Sequence, residues 1–161
     1  MAAIEKLSLE QRTDVIESKL AIQELVYGYA LAWDRRDVNH LLSIFHEDAD
    51  YLMPGLFGEY HGWTEIRRAY DEINVAVPDT WHFTTNLIVK VDGDRATGIS
   101  EANVHATEAN GRAIRLAVAY LDNYERRAGR WAISRRMVET HYITGLLQAW
   151  GLSKESKFPK N

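Results

Sequence analysis

A histidine and an aspartate are the residues of this sequence best suited to proton transfer. His82 stands in DTWHFTTN at the start of a strand-like run, and Asp34 stands in AWDRRD at the end of a long helical segment. An imidazole can accept a proton near neutral pH, and a hydrogen-bonded carboxylate can fix its tautomer and stabilise the imidazolium. If the fold joins the two side chains in a pocket, they can take a proton from a substrate carbon. By itself, His82 is equally typical of a core histidine with a hydrogen bond.

The position of Asp34 in its helix predicts that the side chain faces inward. Asp34 follows Leu31 by three residues and Tyr27 by seven, which puts all three on one apolar stripe of the helix. A buried carboxylate needs a partner, because an isolated charge is costly to remove from water, and an imidazole is a good partner. The alternative is that Asp34 ends the helix and caps the next turn.

Strand alternation divides the residues around His82 between two faces. The more polar face is predicted to hold His82, Thr84, Asn86 and Ile88. The more apolar face is predicted to hold Trp81, Phe83, Thr85, Leu87 and Val89. Because an apolar face normally meets the helices, the face of His82 is predicted to lie at a pocket mouth or in solvent.

Aromatic and basic residues could complete such a pocket. The abundance of aromatic residues predicts an apolar wall with a few polar contacts. The aromatic candidates for this wall are Tyr29, Trp33, Tyr51 and Trp81. Arg136 alternates with Val138 on its strand, so its guanidinium either points into the concave side, where it needs an anion, or forms an outward salt bridge.

Metal and cofactor chemistry have little support in the sequence. There is no cysteine, which excludes thiolate nucleophiles, iron–sulfur clusters and cysteine zinc sites. The histidines and acidic residues of the late strands form no compact HxH or HxxxH pair, so we expect no metal site. The motifs GxSxG, GxGxxG and the P-loop are absent, so we expect no nucleotide cofactor.

The composition is typical of one folded, soluble domain. The 161 residues are 46% hydrophobic and 11% aromatic, which is enough for a core with a cavity. The net charge is −4 and the arginine pairs are dispersed, so we expect no nucleic acid partner. The longest apolar run, LAVAYL, is too short for a membrane span. The lack of cysteine and of a signal-peptide pattern favours the cytoplasm.

The order of elements predicts an α+β fold. We expect a single domain over residues 1–161, with its core at 9–145 and a carboxyl-terminal tail at 146–161. Helices are predicted at about 9–36, 38–45 and 64–73, and Ser8 and Asp37 are predicted to cap the first two. After Pro78, four long runs separated by DGD, ANG and AGR predict antiparallel strands. A curved sheet wrapped around amino-terminal helices would make a cone with a pocket.

The order of three segments resembles the SnoaL-like branch of the nuclear transport factor 2-like superfamily. The segments are IQELVYGYALAWDRRDVNHLLSIFHEDADY, WHFTTNLIVKVDGDRATGISEANVHA and YLDNYERRAGRWAISRR. The likeness is to the types of hexachlorocyclohexane dehydrochlorinase, bile acid 7α-dehydratase and scytalone dehydratase. The resemblance implies a cystatin-like cone with a curved mixed sheet. It also implies a cofactor-independent lyase with an Asp–His pair. The expected assembly is a homo-oligomer, with a trimer favoured and a dimer as the alternative.

Four residues match positions to which this resemblance gives a catalytic role. Asp34 and His82 match the aspartate and histidine of the family's catalytic pair. Tyr29 matches a tyrosine in the site of the bile-acid dehydratase type. Arg136 matches an arginine near the departing group in the dehydrochlorinase type.

Two expected pocket residues depart from the dehydratase type. Met53 stands where that type has another tyrosine, and His105 stands where it has an aspartate. The substrate, or the reaction, is therefore expected to differ from that of the dehydratases.

The resemblance implies that Asp34 orients His82, and that His82 takes a proton from a small hydrophobic cyclic molecule. A dehydratase or dehydrohalogenase is the first hypothesis. The second is an isomerase or polyketide cyclase that uses the same base. The third is a non-catalytic binding or assembly subunit, such as the small subunit of a ring-hydroxylating dioxygenase.

Overall fold

In the described part of the chain, three helices and a six-stranded mixed sheet form the α+β fold that the sequence predicts. The computed structural model describes residues 7–146. The helices are α1 (Leu9–Asp34), α2 (Val38–Ile44) and α3 (Gly62–Ala76). The strands are β1 (Phe45–Met53), β2 (Gly58–His61), β3 (Asp79–Asp92), β4 (Arg95–Thr107), β5 (Ala113–Arg127) and β6 (Arg130–Gly145).

Polar side chains cap the first two helices as predicted. The backbone N–H of Gln11 donates to Ser8 Oγ at 3.2 Å, and the backbone N–H of Ser8 donates to Gln11 Oε1 at 2.9 Å. At α2, the backbone N–H of His40 donates to Asp37 Oδ1 at 2.9 Å. These bonds satisfy donors that the first turn of a helix leaves unpaired. They therefore determine where α1 and α2 begin, and α1 then ends at Asp34 itself.

The four late strands pair in succession as an antiparallel meander, which confirms the prediction from the turn signals. The strand order is β2-β1-β6-β5-β4-β3. Strand β1 pairs parallel to β6 and antiparallel to β2, so the sheet is mixed. Glycines with positive φ, Gly93 at 56° and Gly129 at 79°, allow two of the tight turns between strands.

The hydrophobic core lies between the helices and one face of the sheet. From α1 it takes Ile22, Val26, Tyr29, Ala32 and Trp33. From the sheet it takes residues that include Ala102, Val104, Val118, Tyr120 and Val138. The helices therefore cover the inner face of the sheet.

A bulge interrupts strand β3. Its pairing with β4 shifts between Thr85 and Ile88, and Asn86 there has a φ of 55°. An extra residue in one strand of an antiparallel pair bends that strand and changes which side chains face inward. Ile88 is accordingly 63% exposed. The prediction that Ile88 shares a face with His82 is therefore wrong.

The bulge also corrects the predicted orientation of β3. Before the bulge, the side chain of His82 is inward and only 8% exposed, whereas Trp81 and Phe83 are 51% and 50% exposed. After it, Leu87 and Val89 pack against the core. The prediction that Trp81 and Phe83 meet the helices is therefore wrong, because the alternation does not continue unbroken along the strand.

The helices and strands of residues 7–146 lie within the predicted core at 9–145. Apart from residue 146, the predicted tail lies outside the described residues. Within residues 7–146, no helix combines the length and apolarity required to cross a bilayer.

We expect Asn86→Val to destabilise the fold by about 1–3 kcal/mol, because a β-branched residue is strained at positive φ. Asn86→Gly should remain within about 0.5 kcal/mol of the wild type, since glycine adopts this conformation freely. Urea denaturation followed by circular dichroism measures both. Thr85→Val, at the neighbouring exposed strand position, is the control, and equal losses for Asn86→Val and Thr85→Val would contradict a strained bulge.

Candidate active site

A cavity of about 300 Å³ lies between the helices and the inner face of the sheet. Aliphatic side chains form much of its wall, among them Ile73, Val104, Val118 and Val138. The polar residues of the wall are Thr80, His82, three tyrosines and the more exposed Glu108 and Arg112. An apolar cavity with a few convergent polar groups is the usual form of a small-molecule site.

The carboxylate of Asp34 binds His82 at two points. Asp34 Oδ1 accepts a hydrogen bond from His82 Nδ1 at 2.6 Å, and Asp34 Oδ2 accepts one from the backbone N–H of His82 at 2.9 Å. The hydroxyl of Thr80 donates to Asp34 Oδ1 at 3.2 Å. The side chains of His82 and Asp34 are 8% and 9% exposed. Three donors thus satisfy a buried carboxylate and hold the imidazole in one orientation.

The arrangement leaves one ring nitrogen of His82 for chemistry. Because Nδ1 is bonded to Asp34 and His82 lines the cavity, Nε2 is the nitrogen that remains for a bound molecule. An imidazole held in this way can accept a proton, while the carboxylate stabilises the resulting imidazolium. Within residues 7–146, no cluster of three or more histidine or acidic side chains could hold a metal ion.

Asp34 faces inward, but the predicted reason is wrong. Tyr27 and Leu31 are 44% and 45% exposed, so the stripe that they share with Asp34 is not the buried one. The buried stripe of α1 includes Val26 and Ala30, which are 1% and 8% exposed. Asp34 follows Ala30 by one helical turn, and it lies at the last residue of α1, where its carboxylate can reach the start of β3.

Two tyrosines contribute hydroxyl groups beside His82. The hydroxyls of Tyr29 and Tyr51 form a hydrogen bond of 2.6 Å, and both residues line the cavity. The edge of the Tyr29 ring packs against the His82 ring, with 6.2 Å between the ring centres. Burial raises the pKa of Tyr29, although the charge of Arg136 opposes the effect, and burial raises the pKa of Tyr51 well above its usual value. Both phenols are therefore neutral hydrogen-bond donors at physiological pH.

Arg136 is fully buried, and it does not line the cavity. Its Nε and Nη2 donate to the two oxygens of Asp122 at 2.8 and 2.7 Å. The guanidinium carbon lies 4.1 Å from the ring centre of Tyr29 and 4.5 Å from that of Tyr120. Of the two orientations that the sequence left open, the inward one is found, but the anion that Arg136 meets is Asp122, and two aromatic rings are its cation–π partners.

The structure brings only some of the other predicted pocket residues to the cavity. Trp33, Tyr51 and Met53 line it. Trp81 and His105 do not, which corrects the expectation for both. They are paired across β3 and β4 on the outer face of the sheet, where Trp81 is 51% exposed. Their neighbours His82 and Val104 take the inward positions because successive strand residues face opposite ways.

Sequence reasoning missed Thr80, Tyr120 and Asp122. Thr80 lies two residues before His82 and therefore shares its face. Tyr120 and Asp122 continue the alternation of inward residues on β5, beside Arg136 of β6 in the register of the sheet. A buried acid at Asp122 could have been found by asking which carboxylate neutralises an inward Arg136.

Comparisons with known proteins agree with this architecture. A family model described as a SnoaL-like domain matches residues 14–137. Gamma-hexachlorocyclohexane dehydrochlorinase of Sphingobium indicum is 34% identical over 139 residues, covering 83% of this chain and 86% of that protein. The crystal structure of LinA matches with a TM-score of 0.79 and 31% identity, over 84% of this chain and 93% of LinA.

A more distant comparison concerns the fold alone. A protein of unknown function with a cystatin-like fold from Nostoc punctiforme matches with a TM-score of 0.66 and 23% identity, over 76% of this chain and 90% of that one. The family model covers more than half of the chain, and the dehydrochlorinase is similar over most of its length. The chain therefore belongs to the SnoaL-like family of the nuclear transport factor 2-like superfamily.

Proposed function

We propose that this protein is a cofactor-independent lyase, a dehydratase or dehydrohalogenase that acts on a small hydrophobic cyclic molecule. The observation that carries the proposal is the 2.6 Å hydrogen bond between Asp34 and His82 at the wall of an apolar cavity. The similarity to gamma-hexachlorocyclohexane dehydrochlorinase supports the same class of reaction, because that protein is named for the loss of hydrogen chloride from a ring.

His82 is the base in this proposal. Its Nε2 takes a proton from a ring carbon, the electrons of the C–H bond form a carbon–carbon double bond, and a leaving group departs from the adjacent carbon. Asp34 keeps Nδ1 protonated and stabilises the imidazolium that forms. A positioned base of this kind contributes about 10²–10⁴-fold to the rate, so orientation in the cavity must supply the rest.

Tyr29 is the hydrogen-bond donor to the charge that develops on the substrate. Tyr29 lines the cavity with its ring edge against His82, and its hydroxyl is bonded to that of Tyr51, which restricts the position of the hydroxyl. A neutral donor that is already oriented stabilises a developing oxyanion or leaving group without reorganisation. Arg136 acts on the substrate indirectly, through the ring of Tyr29, because its guanidinium lies behind that ring and does not line the cavity.

The cavity limits the size and polarity of the substrate. Its volume of about 300 Å³ is suited to one substituted ring. Residues such as Val104, Val118 and Val138 surround that ring with aliphatic groups, so a bound ring displaces water from the wall beside His82. An environment without water strengthens the electrostatic contacts of Asp34 and Tyr29 with the reacting atoms.

We expect His82→Gln and Asp34→Asn to reduce kcat/KM by about 10²–10⁴-fold, since the first removes the base and the second removes the carboxylate that orients it. The assay is the formation of alkene or enone from a panel of hydroxylated and halogenated cyclohexanes and cyclohexanones. Circular dichroism should show that both variants keep the fold.

His105→Gln is the matched control for His82→Gln. His105 lies on the outer face of the sheet, against the ring of Phe83, so its loss should leave turnover within about twofold of the wild type. Equal activity in wild type and His82→Gln, or no turnover of any member of the panel by the wild type, would refute the proposed lyase.

Tyr29→Phe removes one hydroxyl from the cavity and keeps the ring. We expect kcat to fall by about 10²–10³-fold with a smaller change in KM, because the lost bond matters most in the transition state. Tyr142→Phe, an exposed position of β6, is the control. A change in KM alone would mean that Tyr29 binds the substrate without assisting the reaction.

The buried tyrosines should make the fold sensitive to alkali. Burial holds the pKa of Tyr29, Tyr51 and Tyr120 above the usual value of 10.0. The contribution of these phenols to stability is complete below about pH 10, the pKa of tyrosine in the unfolded chain. It is lost as the pH rises toward the higher pKa of the folded state, because unfolding then releases protons. The urea midpoint should therefore fall between about pH 9 and pH 11, and fall less in Tyr51→Phe. Parallel curves for the wild type and Tyr51→Phe would contradict this.

A further inference from the structure

Most polar side chains of the cavity wall are hydrogen-bonded to another protein group. The hydroxyl of Thr80 donates to Asp34 Oδ1, and the hydroxyls of Tyr29 and Tyr51 bond each other. Tyr120 also lines the cavity, but its hydroxyl forms no hydrogen bond with any residue that the structure describes. Buried polar groups are hydrogen-bonded in the great majority of cases, so this free hydroxyl requires a physical reason.

The free hydroxyl of Tyr120 borders the cavity. The residue belongs to the cavity wall and is only 3% exposed. Within residues 7–146, the side-chain atoms that are both enclosed and unpaired include Trp33 Nε1 and Arg136 Nη1, but not the oxygen of Tyr120. Since that oxygen has no partner and is not enclosed, it must adjoin open space. For a buried residue of the wall, that open space is the cavity.

Packing fixes the position of this hydroxyl. The rings of Tyr29 and Tyr120 meet edge to face with 5.3 Å between their centres, and the guanidinium carbon of Arg136 lies 4.5 Å from the Tyr120 ring centre. Burial raises the pKa of Tyr120 well above its usual value, so the phenol keeps its proton at physiological pH. The cavity therefore contains a neutral donor that needs no reorganisation to bind a ligand.

The other donors of the described wall are less available to a ligand atom. Arg112 donates to both oxygens of Glu108, and its side chain is 61% exposed, so a ligand there competes with water. The Nε2 atom of His82 is the base in the proposed function, so it carries no proton before the reaction. The Tyr29–Tyr51 pair uses one of its two protons internally.

A free hydroxyl in an apolar wall discriminates between ligands. In solution water can bond this hydroxyl, and a ligand that fills the cavity displaces that water. A ligand with an acceptor oxygen at this point replaces the lost bond. A ligand with only carbon there leaves the hydroxyl of Tyr120 unpaired, which weakens binding by about 10–100-fold.

We propose that Tyr120 is a specificity-determining residue of the cavity: its hydroxyl donates a hydrogen bond to an oxygen atom of the bound ring, so the site favours rings with an acceptor oxygen over rings of the same shape without one. The inference rests on the proposed function, because it names a feature of the ligand in the same cavity. The oxygen bound by Tyr120 is distinct from the leaving group, which Tyr29 assists in that function.

The test compares two probes of nearly the same shape, cyclohexanone and methylenecyclohexane, in which an oxygen atom replaces a CH2 group. Their dissociation constants are measured by NMR titration of the wild type and of Tyr120→Phe, and the comparison between proteins cancels the different hydration of the probes. In Tyr120→Phe, the affinity for cyclohexanone relative to methylenecyclohexane should fall by at least about tenfold, because the variant loses the bond to the ketone and leaves no hydroxyl unpaired beside the hydrocarbon.

The same relative affinity in the wild type and in Tyr120→Phe would overturn the proposal. So would a wild type that does not bind cyclohexanone. Tyr70→Phe is the matched control, because Tyr70 is also buried but does not line the cavity. Its relative affinity should stay within about twofold of the wild type. An equal fall in Tyr70→Phe and Tyr120→Phe would count against a specific role for Tyr120.

An infrared measurement keeps the test decisive even if Tyr120→Phe does not fold. A hydrogen bond lowers the stretching frequency of a carbonyl group, so carbon-13-labelled cyclohexanone bound to the wild type should absorb at lower frequency than in an apolar solvent. This shift should persist in Tyr29→Phe and disappear in Tyr120→Phe. Absence of the shift in the wild type, or its loss in Tyr29→Phe alone, would overturn the proposal.

Both measurements use binding without turnover, so the two proposals can fail separately. Absence of turnover with the whole ring panel would count against the lyase function, while the probes would still report on Tyr120. An unchanged affinity ratio together with normal turnover would count against Tyr120 alone.

Discussion

The carboxylate of Asp34 connects the last residue of α1 to the start of β3, and the orientation of the site depends on this connection. It accepts bonds from both the ring and the backbone of His82, and a third from Thr80. A strand residue bonded in this way cannot turn outward without leaving a buried charge unpaired. The face of β3 that points inward is therefore chosen by one polar contact, even though the apolar Trp81 and Phe83 are exposed as a result.

Two buried carboxylates serve the cavity in different ways. Asp34 contacts an imidazole that lines the wall, so its charge reaches the cavity through a group that can exchange protons. Asp122 contacts a guanidinium that cannot lose its proton, and the pair is covered by aromatic rings. The bulge at Asn86 concerns only the first of these, because it returns Leu87 to the core after the inward polar residues of β3.

Local signals made much of the fold predictable from the sequence. Ser8, Asp37 and the glycine turns act through neighbours a few residues away, so their effects can be read without the tertiary structure. The face of β3 could not be read in this way, because it depends on a contact between residues separated by 48 positions and on a bulge with no strong local signal. Asp34 shows the same limit: its inward direction was predicted, but from the exposed stripe of Tyr27 and Leu31.

Similarity to the dehydrochlorinase predicts the scaffold more firmly than the substrate. The likeness extends over 83% of the chain, yet the chemistry of the cavity depends on a handful of side chains and on charges behind its wall. Met53, Tyr51 and Tyr29 line the cavity, while Arg136 lies behind the Tyr29 ring and donates to both oxygens of Asp122. The scaffold therefore follows from the likeness along the chain, whereas the reaction depends on the few side chains, such as His82 and Tyr29, that line the cavity.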